Sequence, residues 1–396
     1  MICTLANDKK LIPPFLRWLK CTNIPSLKNI HIGQQQSPGR EAKVEKEGAG
    51  SIPDACFFDD DGWALVIESK VQAGISKINY QLRKHRRTAA RYGYEKARVV
   101  LIAVDRPSRP LPNGMHYVPW KKVYQWFVKC SKMSDWAGRF VEYMQVFEAN
   151  MINQDYNIKG TLTMFSGFHF DEEHPYTYHE GKRLIRLMGQ KFRKNKDLVR
   201  ELGLDPEGQG RKGISKDEKI WDIIPLKKAE GKAFTAYPHA TIFMSSKEAG
   251  VAITVPNGLK GGIKSRLKKV GTDEFGGLLT KIEKNLRGCI KQAPGTKPII
   301  YILQRHFKSR RSHPITDGRL EVDIRTLVND EKTGLEYQPM WLDAIYDILT
   351  HKQTNLQLGI EVRFPYSEKA MQSDKALDVM ANAWIAMKPM LDFVLE

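Results

Sequence analysis

Two carboxylates and an ammonium fall close together in the stretch IPDACFFDDDGWALVIESK, residues 52–70: Asp54, then Glu68 after thirteen intervening residues, then Lys70. In an extended strand residues i and i+2 share a face, so Glu68 and Lys70 project together. The turn Asp59-Asp60-Asp61-Gly62 between two β-rich flanks predicts a hairpin of strands 55–58 and 63–70. A three-residue loop, Asp60-Asp61-Gly62, with Gly62 at positive φ would pair Asp59 with Trp63 and set Asp54 opposite Glu68. Such a face suits metal-assisted phosphodiester hydrolysis. Mg²⁺, or Mn²⁺ in its place, held by one or two carboxylates keeps positions open for a phosphate oxygen and a water. It polarises the phosphoryl group and lowers the pKa of that water. The lysine orients the nucleophile and offsets charge building on phosphorus. The plainer alternative is a surface hairpin with an i,i+2 ion pair, but Glu68 and Lys70 directly follow the apolar run 64–67, where unpaired charge is costly.

The flanking elements must hold this hairpin in place. A helix over 11–20 is entered through Pro13 and Pro14, and a polar strand over 30–36 follows. Residues 75–92 carry apolar side chains at 75, 78, 82, 89 and 92, which is helical spacing. On that helix Gln81 and His85 lie one turn apart and flank the stripe of Ile75, Ile78 and Leu82, so both can lean toward the sheet. Lys77, Lys84, Arg87 and Arg91 group on the opposite side, as a solvated face or as a stripe that tracks phosphates. The run RVVLIAV, 98–104, reads as a strand buried on both faces, and helices fit 120–130 and 135–151. The expected class is α/β, a mixed sheet with helices on its faces.

Pro53-Asp54 followed by Glu68-Ser69-Lys70 resembles the PD-(D/E)xK nuclease superfamily, the restriction-endonuclease-like fold, over residues 10–150. The resemblance implies an αβββαβ core and Mg²⁺-dependent cleavage of DNA, less often RNA. It implies metal ligation by Asp54 and Glu68 and a transition-state role for Lys70. Gln81 is similar to a glutamine that several members carry in the helix after the motif. Members often place another acidic residue on the first helix; the helix over 11–20 has none. Asp8 precedes it and Glu41, Glu45 and Glu47 lie nearer the hairpin, so the third ligand stays open, with Glu47 either that ligand or, more simply, a solvated loop charge.

The chain of 396 residues is long enough for two or three domains, and the linker-like stretch 153–160 suggests a boundary at 155. A nuclease domain over 1–155 would then precede a basic α+β domain of unassigned fold over 156–396, which selects substrate or regulates. With Lys plus Arg at 63 against Asp plus Glu at 45, the net charge is +18, which favours a polyanionic partner, nucleic acid first. The five cysteines are scattered without CxxC pairing, which argues against a disulfide framework or a zinc site. Apolar runs are too short to cross a bilayer and the start is polar, so the expected location is the cytoplasm, with no membrane partner.

In the second part, strands are expected at 234–244, 251–255, 298–303 and 357–363, and helices at 263–270, 275–290, 339–350 and 373–395. Gly258, Gly261 and Gly262 precede a helix bearing Lys264, Arg266, Lys268 and Lys269, either a phosphate contact or an ordinary basic helix. Arg310 and Arg311 sit in a basic cluster around Phe307, either a charged loop or a backbone-binding site. The layout is similar to bacterial restriction and phage-defence effectors. Rival readings are an RNA-directed nuclease of the same fold and a nucleic-acid-binding module without catalysis, and a homo-oligomer or protein partner stays open.

Overall fold

A computed structural model of the chain describes residues 1–39, 52–71, 77–155, 160–208, 213–214, 219–229, 233, 235–257, 259, 262–309, 312, 315–351 and 356–395. Glu47, Ile75, Gly258, Gly261, Arg310 and Arg311 lie outside the described residues. The chain divides into two compact units, Met1–Met164 and Phe165–Glu396. The boundary thus follows Met164 and not residue 155. The reason is local: buried Glu148 accepts the N–H groups of Leu162 and Thr163, and Leu162 fills the first unit's core.

In the first unit, α1 (Ile2–Asn7) and α2 (Ile12–Trp18) precede three strands, β1 (His31–Gln34), β2 (Ala55–Phe58) and β3 (Ala64–Lys70). Pro13 and Pro14 fall in the first turn of α2, where a missing N–H costs no hydrogen bond. There follow α3 (Ile78–Arg91), β4 (Arg98–Ala103), β5 (Met115–Pro119), α4 (Trp120–Cys130) and α5 (Asp135–Gln154). The strands form one mixed sheet in the order β1-β2-β3-β4-β5, antiparallel from β1 to β3 and parallel from β3 to β5.

The alternation of side chains along each strand feeds two layers. Leu65 and Ile67 of β3 with Val100 and Ile102 of β4 pack beneath Phe15, Leu16, Val123 and Phe127. Ala64, Val66, Val99, Leu101 and Ala103 face the other way, against Ile78, Leu82 and Ala89 of α3. Glu68 and Lys70 continue the second of these rows, so the strand period itself carries them to the α3 face. At the hairpin, Gly62 has φ 90° and the Asp59 N–H donates to the Trp63 carbonyl at 3.1 Å, the loop expected from the sequence.

The second unit opens with α6 (Tyr178–Lys194), α7 (Lys196–Leu202), β6 (Gly213–Ile214), β7 (Ile220–Pro225), β8 (His239–Met244) and β9 (Glu248–Val255). It continues through α8 (Gly262–Gln292), β10 (Lys297–His306), β11 (Ile315–Asp323), α9 (Pro339–His351), β12 (Leu356–Pro365), α10 (Ala376–Ala386) and α11 (Lys388–Leu395). Its strands make an antiparallel sheet in the order β11-β10-β12-β9-β8-β7-β6. Ile253, Ile300, Ile360 and Val362 lie on the face shared with Phe275, Ile282 and Trp384 of the helices. The alternate residues Thr254, Tyr301, Glu361 and Arg363 occupy the other face. α8 is interrupted at Gly271 (φ 79°, ψ 175°), and the expected single helix at 373–395 is two, because Pro389 in the first turn of α11 cannot continue the hydrogen bonding of α10. No helix among the described residues is long and apolar enough to cross a membrane.

Candidate active site

The end of β3 and the start of β2 meet on the α3 side of the first sheet. β2 and β3 pair Ala55 with Ile67, Cys56 with Val66, Phe57 with Leu65 and Phe58 with Ala64. The next rung of this register sets Asp54 opposite Glu68. The Ser69 N–H donates to Asp54 Oδ2 at 2.6 Å, which holds the first carboxylate against the strand that carries the second. Among the described residues no hydrogen bond reaches Asp54 Oδ1.

Glu68 is 1% exposed, so its charge must be met inside the protein. Gln81 Nε2 donates to Oε1 at 2.6 Å, Lys70 Nζ contacts the same oxygen, and His85 Nε2 lies 2.9 Å from Oε2. Burial pushes the Glu68 carboxyl up, but the hydrogen bonds and charges of His85 and Lys70 outweigh it and hold the carboxyl below its usual range. An ionised carboxylate only accepts, so His85 Nε2 carries the proton in this contact. Asp54 moves the opposite way. Burial raises its pKa, the Ser69 N–H lowers it in part, and the like charge of Glu68 raises it further.

Asp54, Glu68, Lys70 and Gln81 are thus brought together. His85, which the helical spacing left as one of two side chains able to lean inward, is buried and contacts Glu68 directly. Its signal in the sequence was the four-residue step from Gln81. Of the expected cationic face, Lys77, Arg87 and Arg91 are exposed and Lys84 is part-buried. On α8, Lys268 is exposed and Lys264 part-buried, while Arg266 donates to the Phe393 carbonyl at 3.1 Å. Arg83 and Arg86, which the sequence did not single out, line an open groove with Arg87.

Two carboxylates, Glu68 on β3 and Asp54 just ahead of β2, the latter with an open oxygen among the described residues and a raised pKa, form an oxygen donor set that fits a hard divalent cation. Bringing such a cation to Asp54 would offset both the burial and the Glu68 charge that push its pKa up. Among the described residues no group of three or more His, Cys, Asp or Glu side chains is arranged to hold a metal ion. Mg²⁺, which keeps several waters, does not require one. No protein-family model matches the chain, and no curated protein matches it.

Proposed function

We propose that the first unit is a metal-dependent nuclease that hydrolyses phosphodiester bonds, with DNA the first substrate to test. The observation that carries this reading is the convergence of Asp54, Glu68 and Lys70 at the carboxyl end of β3, with Gln81 and His85 of α3 gripping Glu68. Ligands of open α/β sheets bind outside the carboxyl ends of the strands. The order α2-β1-β2-β3-α3-β4 agrees with the αβββαβ core that the resemblance to PD-(D/E)xK nucleases implies. Mg²⁺ held by Asp54 and Glu68 would polarise the phosphoryl group and acidify a water. Lys70, with 20% of its side chain exposed, reaches solvent from the same strand face and can offset charge developing on a phosphate. Gln81 and His85 fix the direction of the Glu68 oxygens, a positioning role. The second unit is proposed to select substrate or control access.

The full chain is to be incubated with supercoiled plasmid, linear duplex, single-stranded DNA and RNA, each with Mg²⁺ or with EDTA. Cleavage that needs Mg²⁺ supports the proposal, and the preferred substrate separates DNA from RNA. Binding without cleavage of any of them sinks it. That outcome would favour a nucleic-acid-binding module, a reading with one observation behind it, the engagement of both Glu68 oxygens by protein donors.

A further inference from the structure

The outer side of α3 forms one wall of an open groove of about 680 Å³. At 100° per residue, Arg83, Arg86 and Arg87 point away from the side that carries Gln81 and His85. The facing wall is Pro110, Leu111 and Pro112, ahead of β5. Two hydrogen bonds tie this wall to the helix: Arg86 Nη1 donates to the Asn113 carbonyl at 3.0 Å and Asn79 Nδ2 to the Pro110 carbonyl at 2.9 Å. Both prolines restrict the backbone, and Leu111 packs against the core beneath α3, so the groove is held in shape without an occupant.

Its charge is not balanced. Spaced i, i+3 and i+4, the three guanidinium groups are neighbours on one helix face, where like charges repel. Among the described residues none of them makes an ion pair with a carboxylate, although Glu95 also borders the groove. A guanidinium presents a planar fork that matches phosphate oxygens in pairs, which an ammonium does not. The opposite wall is apolar and offers a surface for a sugar and base. A cationic wall facing an apolar one, across a space within the size range of ligand pockets, is complementary to a nucleotide unit with its phosphate on one side and its base on the other.

We infer that the α3 groove binds a nucleotide, its phosphate on Arg83, Arg86 and Arg87 and its base and sugar against Pro110, Leu111 and Pro112. The occupant is a single-stranded segment of the substrate, a step that rests on the nuclease reading; the shared chemistry also admits a free nucleotide. The groove lies away from the Asp54 and Glu68 cluster, so it anchors the strand without touching the bond to be cut.

The test measures binding of a labelled short single-stranded oligodeoxynucleotide to the full chain in EDTA, across a salt series, with adenosine 5′-monophosphate as competitor. Arg83→Ala with Arg87→Ala should weaken binding about tenfold and flatten the salt slope by about 1.4, two phosphate contacts at roughly 0.7 each. Arg83→Lys with Arg87→Lys should keep the slope and lose part of the affinity, because charge survives and the fork does not. Competition by the mononucleotide that vanishes in the alanine variant makes a free nucleotide the occupant and still supports the groove. Unchanged affinity and slope, and no loss of mononucleotide binding, in an alanine variant that melts like the parent overturn the inference. Because binding is read without metal, failure to cleave any substrate in Mg²⁺ would sink the nuclease reading alone.

Discussion

Both units bury a glutamate on a sheet face, and they neutralise it differently. Glu361 in the second unit, 4% exposed, is met by Arg363 and, at 4.0 Å, by Lys219. Arg363 also reaches Glu321 at 2.7 Å and Glu248 at 3.6 Å, and Arg319 pairs with Glu321. Three carboxylates there face three cations, and the network closes on itself. In the first unit Glu68 has Lys70 and His85, but among the described residues its neighbour Asp54 is hydrogen-bonded only by the Ser69 N–H. The difference accords with the proposed site: the network of the second unit pairs its charges from within, whereas the first cluster leaves, among the described residues, one carboxylate without a cation.

The largest effect expected from this contrast is on cleavage. Glu68→Gln should reduce Mg²⁺-dependent cleavage by at least about 100-fold, since even groups that merely support a metal ligand are worth 10- to 100-fold. Nucleic-acid binding should stay close to normal because its affinity comes from phosphate contacts. Asp54→Asn should do the same to cleavage, and a quantitative time course on plasmid checks both. Near-normal cleavage in either variant would place the chemistry elsewhere.

In the second unit the matching break is Arg363→Ala, which leaves buried Glu361 with Lys219 at 4.0 Å as its remaining cation among the described residues. It should cost about 3–5 kcal/mol of stability, read from urea denaturation. A loss under about 1 kcal/mol, the value of an exposed pair, would show that the network is not sealed. His85→Ala and Gln81→Ala should lower cleavage by about 10- to 100-fold through misdirection of Glu68. Both should recover in part as Mg²⁺ is raised, a response that a merely destabilised fold would not give.

The smallest effect is on stability against pH. Burial raises the Asp54 pKa, so the folded chain holds that proton more tightly than the unfolded chain, and ionising Asp54 costs stability above its ordinary value of 3.8. Asp54→Asn should therefore stabilise the protein at neutral pH in the absence of metal, with the gain fading as pH falls toward 3.8. Glu68 has the opposite sign. Its depressed pKa makes it stabilising above its ordinary value of 4.5, and that contribution disappears as pH falls through the folded-state value. Thermal melting from pH 7 down to acid would show an Asp54→Asn gain that shrinks with acidification; a gain that grows instead would contradict the burial of Asp54.

The first site was legible because its parts are local. The loop Asp60-Asp61-Gly62 sets the hairpin register through turn chemistry alone, the i, i+2 period puts Glu68 and Lys70 on one face, and the i, i+4 period puts Gln81 and His85 on another. What the sequence could not decide were contacts that depend on distant chain. Nothing in residues 81–85 states that His85 is sealed against Glu68, and nothing beside Asp54 states that it forms no ion pair among the described residues. Strand β7 and helix α6 escaped the sequence reading. The order of the second sheet places β12 between β9 and β10, and its pairing with β9 spans about a hundred residues, which no short-range signal encodes. Lys219, Arg319, Glu361 and Arg363 are unremarkable charges along the chain and become one network only when β11, β12 and the start of β7 are brought into one sheet. Sequence by itself therefore determined the hairpin, its register and the side chains that share a face, since these follow from backbone periodicity. Tertiary structure alone decided which charges are compensated, since that depends on burial and on partners brought from far along the chain.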